Sequence, residues 1–246
     1  MKRTPLVLFM LLLSCMAIYA FDYATAARKA RRFFEHREWA SASAMYDLML
    51  DHRPYVADTY SYAIVSAAMR ADSADEMRLL EQAMHNSIPF DSVMNGVFDV
   101  ALASGNIETH EEFLLNAQQC YPWLARAIDR FLLDYYCFRN DGVRMVRYSN
   151  LLLEGLPDNI EFMTTLAQGY LLNGEADSAI TIYRRVIELD PDNFNALVSV
   201  GNYCVSCIND APEDCVPAIR QEARAMLQHA YALKPTPFVA KILKNL

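Results

Sequence analysis

Apolar residues along this chain recur at helical spacing and in pairs of stretches. Between residues 160 and 193, Leu166, Ala167 and Tyr170 stand at i, i+1 and i+4, and Ala179, Tyr183 and Val186 at i, i+4 and i+7, so each set forms one helical face. Asn173-Gly174 separates the sets and reads as a helix stop, with glycine free to take the left-handed conformation. Leu189-Asp190-Pro191 ends the second helix, because proline disfavours helical geometry in the residue before it. Small residues at Ala167 and Ala179 let two antiparallel helices approach closely, while Tyr170 and Tyr183 fill the space between layers. The pattern predicts a helical hairpin.

The same hairpin returns along the chain. Pro54, Pro89, Pro122, Pro157 and Pro191 follow one another at spacings of 35, 33, 35 and 34 residues, the mark of a repeat. Units near 23–56, 57–90, 91–124, 125–159, 160–193 and 194–235 tile residues 23–235. The first keeps Ala30, Phe33, Ala42 and Tyr46, although Arg37 replaces the turn glycine. The second keeps Ala63, Ala67, Leu80 and Ala83, with Glu76 where a small residue is expected. The third keeps Val97, Ala101, Gly105, Leu114 and Ala117, with bulky Phe98 and His110 at both close-approach positions. The fourth keeps Tyr135, Tyr148 and Leu151 but puts Leu132 and Arg144 there. Units two to four therefore need either a wider helix spacing or a local shift of register. Ser73 to Glu76, Thr109 to Glu112 and Asp158 to Glu161 have the spacing of capping boxes. The sixth unit, with Leu197, Val200, Gly201 and Cys204 before Ala223, Leu227 and Ala230, is ten residues too long, and the excess near 209–217 reads as a loop insertion. Thr236-Pro237 then opens a capping helix over 236–246, with Phe238, Ile242 and Leu246 on one apolar face.

The 160–193 unit, with Leu166-Ala167, Tyr170, Gly174, Ala179, Tyr183 and Pro191 at their offsets, resembles the tetratricopeptide repeat family. The resemblance implies an all-α fold, an α-solenoid of about six helix-turn-helix repeats with a C-terminal capping helix. It also implies a concave groove lined by the first helices, in which an extended or helical segment of another protein binds. Carried over residue by residue, the groove positions are Arg31, Phe34, Val65, Asp99, Leu102, Asp129, Leu133, Tyr136, Gln168, Leu171, Asn202 and Val205. This set is mostly apolar and uncharged, which suits an extended segment with apolar side chains, Gln168 and Asn202 bonding its backbone. The Lys, Asn and Arg set by which some relatives grip chaperone C-termini is absent.

Composition narrows the chemistry. Only 7 glycines are present, too few for folds and phosphate loops that use glycine freely, and the chain has no His-Glu-x-x-His, Gly-x-Ser-x-Gly or Walker motif. The expectation is a non-catalytic protein with no cofactor and no metal. A formal charge of −8 argues against nucleic acid, although Arg28, Lys29, Arg31, Arg32 and Arg37 form a local basic cluster. Met1-Lys2-Arg3 followed by the apolar run from Leu6 to Ala20 reads as an export signal over residues 1–20. A rival is Leu12-Leu13-Ser14-Cys15, which resembles a bacterial lipobox that would place a lipid on Cys15. Either way the expected location is the periplasm or outer membrane of a bacterium, with membrane contact only through that anchor or a short hydrophobic segment. Cys207 and Cys215 are placed to clamp the inserted loop as a disulfide, while Cys120 and Cys137 read as plain buried cysteines. Zinc at the three C-terminal cysteines lacks a fourth ligand at a diagnostic spacing. Two other classes stay open: a surface or periplasmic glycan-binding lipoprotein using Trp39 or Trp123 as a platform, and a small envelope enzyme.

Overall fold

The computed structural model describes residues 21–246, so the expected export signal and Cys15 lie outside the described residues. The described chain is all α-helical apart from one short 3-10 turn, and it divides into two compact units, the first ending at Pro122 and the second running Trp123–Leu246. The first holds α1 (Tyr23–Glu35), α2 (Trp39–His52), α3 (Ala57–Ala68), α4 (Ser73–His85), α5 (Phe90–Ala103) and α6 (Glu108–Cys120). A 3-10 turn (Pro122–Leu124) falls at the boundary, and the second holds α7 (Ala125–Arg139), α8 (Gly142–Leu153), α9 (Ile160–Leu172), α10 (Ala176–Leu189), α11 (Phe194–Cys207), α12 (Val216–Leu233) and α13 (Pro237–Asn245).

One backbone device recurs in the turns. Arg37, Ala71, Gly105, Asn140 and Gly174, 34 or 35 residues apart, all have positive φ, between 53° and 80°. At each, the next residue's N–H reaches five residues back, as in Glu38 N–H to Phe33 O at 2.9 Å and Glu175 N–H to Tyr170 O at 2.9 Å. This Schellman pattern satisfies carbonyls that the helix end leaves without partners. The other end obeys proline in four of the six hairpins, while the second ends through left-handed Ser87, with Ile88 N–H reaching Ala83 O. Arg53, Tyr121, Asp190 and Lys234, each preceding a proline, leave the helical region, with φ from −146° to −125° and ψ from 70° to 101°.

Counting from the left-handed residue, rather than from the proline, gives the register of the fourth hairpin. Asn140 lies 34 residues before Gly174, so Leu133 matches Ala167 at the close-approach position, and Met145, Ser149 and Leu152 match Ala179, Tyr183 and Val186. All of them are buried. The fourth unit thus takes the shift of register. Close approach is provided elsewhere: a Cβ on Gly142 would meet Gly169 O at 2.8 Å, and one on Gly169 would meet Val146 at 3.0 Å, so glycines let α8 and α9 touch. Gly201 plays the same part against Leu227 between α11 and α12.

Helix order in space differs between the units. In the second, each helix packs on the next: α7 on α8, α8 on α9, α9 on α10, α10 on α11, α11 on α12 and α12 on α13. In the first, α1, α2, α3 and α4 follow that scheme, but α5 then packs chiefly on α3, and α4 touches α6. A Cβ on Gly96 of α5 would overlap the Ser61 hydroxyl of α3, so these two small residues make the first-helix contact. The α5 and α6 pair is correspondingly loose, with the Phe98 and His110 rings edge-to-face at 5.3 Å. As a result α3 is buried along nearly its whole length, Thr59, Tyr60, Ser61 and Ala63 through Ala67 included.

Caps differ from the expected boxes by one residue or more. Asp72, not Ser73, caps α4 through Asp75 N–H, and Asn159, not Asp158, caps α9 through Phe162 N–H at 2.9 Å. The α6 start has no side-chain cap, and Thr109 Oγ1 donates to Asn106 O at 2.8 Å instead. Thr236 does cap α13, but the buried residue of that helix is Val239, while Phe238 is exposed.

Two titratable groups sit at close-approach positions of the first unit. Glu76 is 3% exposed and its carboxyl is pushed up to about 7, chiefly by burial, with Glu112, Asp72 and Asp75 adding repulsion and Asn116 opposing through a 3.4 Å hydrogen bond. Burial pushes the His110 imidazole down to about 4. The signs oppose. Glu76 binds its proton more tightly folded than unfolded, so its contribution is present below about pH 4.5 and is lost as pH rises through 7. His110 contributes above about pH 6.5 and loses that contribution as pH falls through 4. Their slopes offset between about 4.5 and 6.5.

Glu76→Gln should therefore expose the His110 limb, giving a stability that rises with pH from 4 to 6.5, and should exceed wild type by about 2–3 kcal/mol at pH 8. Urea unfolding across a pH series reads both. At the turns, Ala71→Gly should raise stability by about 1 kcal/mol by relieving the left-handed alanine, and Gly174→Ala should lower it by a similar amount. Denaturation midpoints of the two variants check the pair.

Candidate functional site

A groove lining has to be exposed, and the expected residues divide on that test. Arg31, Asp99, Leu102, Gln168, Leu171 and Asn202 are exposed, Asp129 and Val205 are half-buried, and Phe34, Val65, Leu133 and Tyr136 are buried. The reasons are local. Val65 is covered because α5 lies on α3. Leu133 and Tyr136 point inward because the fourth hairpin is registered on Asn140, and Tyr136 stacks on Tyr148 with ring centroids 5.3 Å apart. Phe34 packs edge-to-face on Trp39 at 5.2 Å and on Tyr62 at 5.0 Å.

In the second unit the repeat-equivalent residues on the open face of α7, α9 and α11 fall into three rows. Arg130, Thr164 and Val198 form the first, Asp134, Gln168 and Asn202 the second, and Cys137, Leu171 and Val205 the third, at i, i+4 and i+7 on each helix. Proline-based counting misses Asp134 and Cys137. An asparagine that tolerates positive φ, Asn140, is the signal that finds them.

The face is anchored by its own residues and is poor in reactive groups. Arg130 reaches Glu161 at 4.0 Å, linking α7 to α9. Desolvation raises the Asp134 carboxyl, with Arg130 opposing and Glu161 adding to the rise. Burial pushes the Cys137 thiol up to about 11, so at neutral pH it is a thiol and a poor nucleophile. What the centre of the face offers is two primary amides, Gln168 and Asn202, flanked by Leu171 and half-buried Val205. Amides donate and accept at once, which matches the alternating N–H and C=O groups of an extended backbone.

The C-terminal cysteines are thiols in the structure, in place of the expected Cys207–Cys215 disulfide. Cys207 is half-buried at the end of α11, within hydrogen-bonding reach of Tyr203, whereas Cys215 is exposed at the start of α12. Cys120 is exposed and Cys137 half-buried, rather than both buried. Cys204 is buried in the core shared by α9 to α12, and its thiol is pushed up to about 11 by desolvation. No group of three or more His, Cys, Asp or Glu among the described residues is arranged to hold a metal ion. No helix among them is long and apolar enough to cross a membrane.

The first unit carries a cavity of about 350 Å³ where the last turns of α1 and α5 meet the first residue of α2. Its walls include Phe34, Trp39 and Tyr62, and its charged groups are Arg31, Arg37 and Glu35. Arg31 lies over the Tyr62 ring, 4.1 Å from the centroid, and donates to the Tyr62 hydroxyl. Trp39 is thus half-buried in a wall, and Trp123 is exposed in the 3-10 turn.

No family model matches the chain, and no curated protein is significantly similar to it. Among solved structures it is similar to YrrB, described as a TPR protein with an unusual peptide-binding site, at 15% identity over 82% of this chain and 98% of that one, with a TM-score of 0.48. It is similar to PilF of Pseudomonas aeruginosa at 12% identity over 91% and 96% of the two chains, with a TM-score of 0.49. A tetratricopeptide repeat protein of Parabacteroides merdae is 11% identical over 92% and 84%, with a TM-score of 0.44.

Proposed function

We propose that this array of tetratricopeptide-type hairpins is a non-catalytic scaffold that holds an extended segment of another protein against the open face of α9 and α11. The observation that carries the reading is the placement of Gln168 and Asn202, exposed, uncharged and repeat-equivalent, beside Leu171 and Val205 on helices whose opposite sides are buried. Such a surface binds by backbone hydrogen bonds and apolar side-chain contact, and it needs no ion or cofactor. The high thiol values of Cys137 and Cys204 disfavour a nucleophilic role for either. The site of action is the bacterial envelope, on the reading of residues 1–20 as an export signal.

In-cell crosslinking from a photoreactive residue placed at Thr164, followed by mass spectrometry, identifies the held protein. Leu171→Asp or the pair Gln168→Ala and Asn202→Ala should lower its capture at least tenfold while leaving the helical spectrum and denaturation midpoint within experimental error of wild type, because these side chains are exposed. Leu133→Asp should unfold the second unit instead, since that side chain is 2% exposed. Capture unchanged by the exposed substitutions would remove α9 and α11 from the binding face. Palmitate labelling of the wild type, lost in Cys15→Ala, would identify a lipid anchor; no labelling in either leaves free export.

A further inference from the structure

The cavity of the first unit is chemically unlike the face on α9 and α11. Its floor is aromatic, with Phe34, Trp39 and Tyr62 in contact with one another through edge-to-face pairs at Phe34. Its rim carries two guanidiniums against one carboxylate, a local positive balance in a chain whose formal charge is −8. Among the described residues neither Arg31 nor Arg37 forms an ion pair, and Glu35 forms none. Arg31 is oriented by the Tyr62 ring beneath it, so its remaining N–H groups are presented in a fixed plane. Arg37 stands at the left-handed turn residue, where the backbone between α1 and α2 aims it at the same opening.

The surroundings of the cavity are a tyrosine behind its wall and three helix ends. The hydroxyl of Tyr46, a residue 3% exposed, makes no hydrogen bond within the described structure, although Tyr46 stacks on Tyr62 at 5.7 Å and lies close enough to Arg31 and Glu35 to feel their charges. That hydroxyl is enclosed and Tyr46 is not part of the cavity lining, so it supports the wall behind Tyr62 and does not meet a group bound in the cavity. The helix ends are the counterweight, since the C-terminal turns of α1 and α5 present carbonyls. Those of Phe33, Phe34, Ala101 and Leu102 are already taken by Schellman hydrogen bonds, while the α2 start opposite them has no side-chain cap.

We infer that this cavity is an anchor pocket for an acidic residue followed by an aromatic one in an extended protein segment, the ring lying among Phe34, Trp39 and Tyr62 and the carboxylate between Arg31 and Arg37. A space of about 350 Å³ is at the small end of ligand pockets, enough for one large side chain and a neighbouring carboxylate. The inference rests on the reading of the protein as a holder of extended segments and adds the chemistry that one part of it selects.

The test uses capped tetrapeptides and the emission of Trp39. Acetyl-Gly-Glu-Phe-Gly-amide should change that emission saturably. The Gln-Phe counterpart should bind about tenfold more weakly, because a charge-assisted hydrogen bond becomes a neutral one, and the Lys-Phe and Glu-Ala counterparts should not saturate in the same range. Arg37→Glu, at an exposed position, should reverse the preference so that Lys-Phe binds more tightly than Glu-Phe, an outcome that misfolding cannot produce. Trp39→Phe serves as the control, since it leaves Trp123 as the chain's other tryptophan. Equal binding of Glu-Phe and Lys-Phe, a preference untouched by Arg37→Glu, or a signal that survives Trp39→Phe would each overturn the inference. If no peptide binds while Leu171→Asp still abolishes partner capture, the pocket falls and the scaffold stands; charge-selective peptide binding with no captured partner is the reverse.

Discussion

A single residue with positive φ at the turn of each of the first five hairpins sets the register on which the rest of the structure depends. The left-handed conformation costs about 1–2 kcal/mol for a residue with a Cβ, and three of the five turn residues, Arg37, Ala71 and Asn140, have one. They keep the conformation because the turn must reverse the chain in few residues while closing the last carbonyls of the helix before it. Once the turn residue is fixed, so are the faces of both helices: seven residues before it lies the inward close-approach position, and six before it the neighbouring position that can face solvent. Burial on the first and exposure on the second follow at Ala167 and Gln168 alike.

Small residues then decide which helices touch. Where glycines lie between consecutive helices, as Gly142 and Gly169 do, the hairpins alternate along the chain and the first helices keep an open side. Where the small pair is Gly96 and Ser61, on two first helices, those helices close on each other and the surface between them disappears. Bulky Phe98 and His110 reinforce that outcome by holding α5 off α6. One fold type thus presents two different surfaces in its two units, an amide-and-aliphatic face in one and an aromatic cavity with an arginine rim in the other.

Hairpin boundaries were legible because proline and the turn residue act through the backbone of their immediate neighbours. The 160–193 unit was legible in full, since its small and aromatic residues stand at regular offsets. Exposure was harder to read. Val65 and Leu133 have the same periodicity as true surface positions, and what hides them, α5 on α3 in one case and a one-residue register shift in the other, is a tertiary choice. Glu76 and His110 stood out as misfits at small-residue positions; that both would be buried with displaced titrations follows only from the packing around them. The arginine-rimmed pocket was invisible for a related reason, as its walls come from four helices and the counting that singled out Arg31 and Phe34 carries no information about Arg37 or Trp39.

The segment from Ile208 to Cys215 separates α11 from α12 without disturbing their pairing, which still closes through Gly201 on Leu227. Exposed connections of this sort tolerate added chain because the elements on either side are held by contacts of their own. This makes the loop a natural attachment point: a fluorophore on Cys215, or a second domain spliced in beside it, would be carried by the α11–α12 hairpin without entering the packing between its two helices.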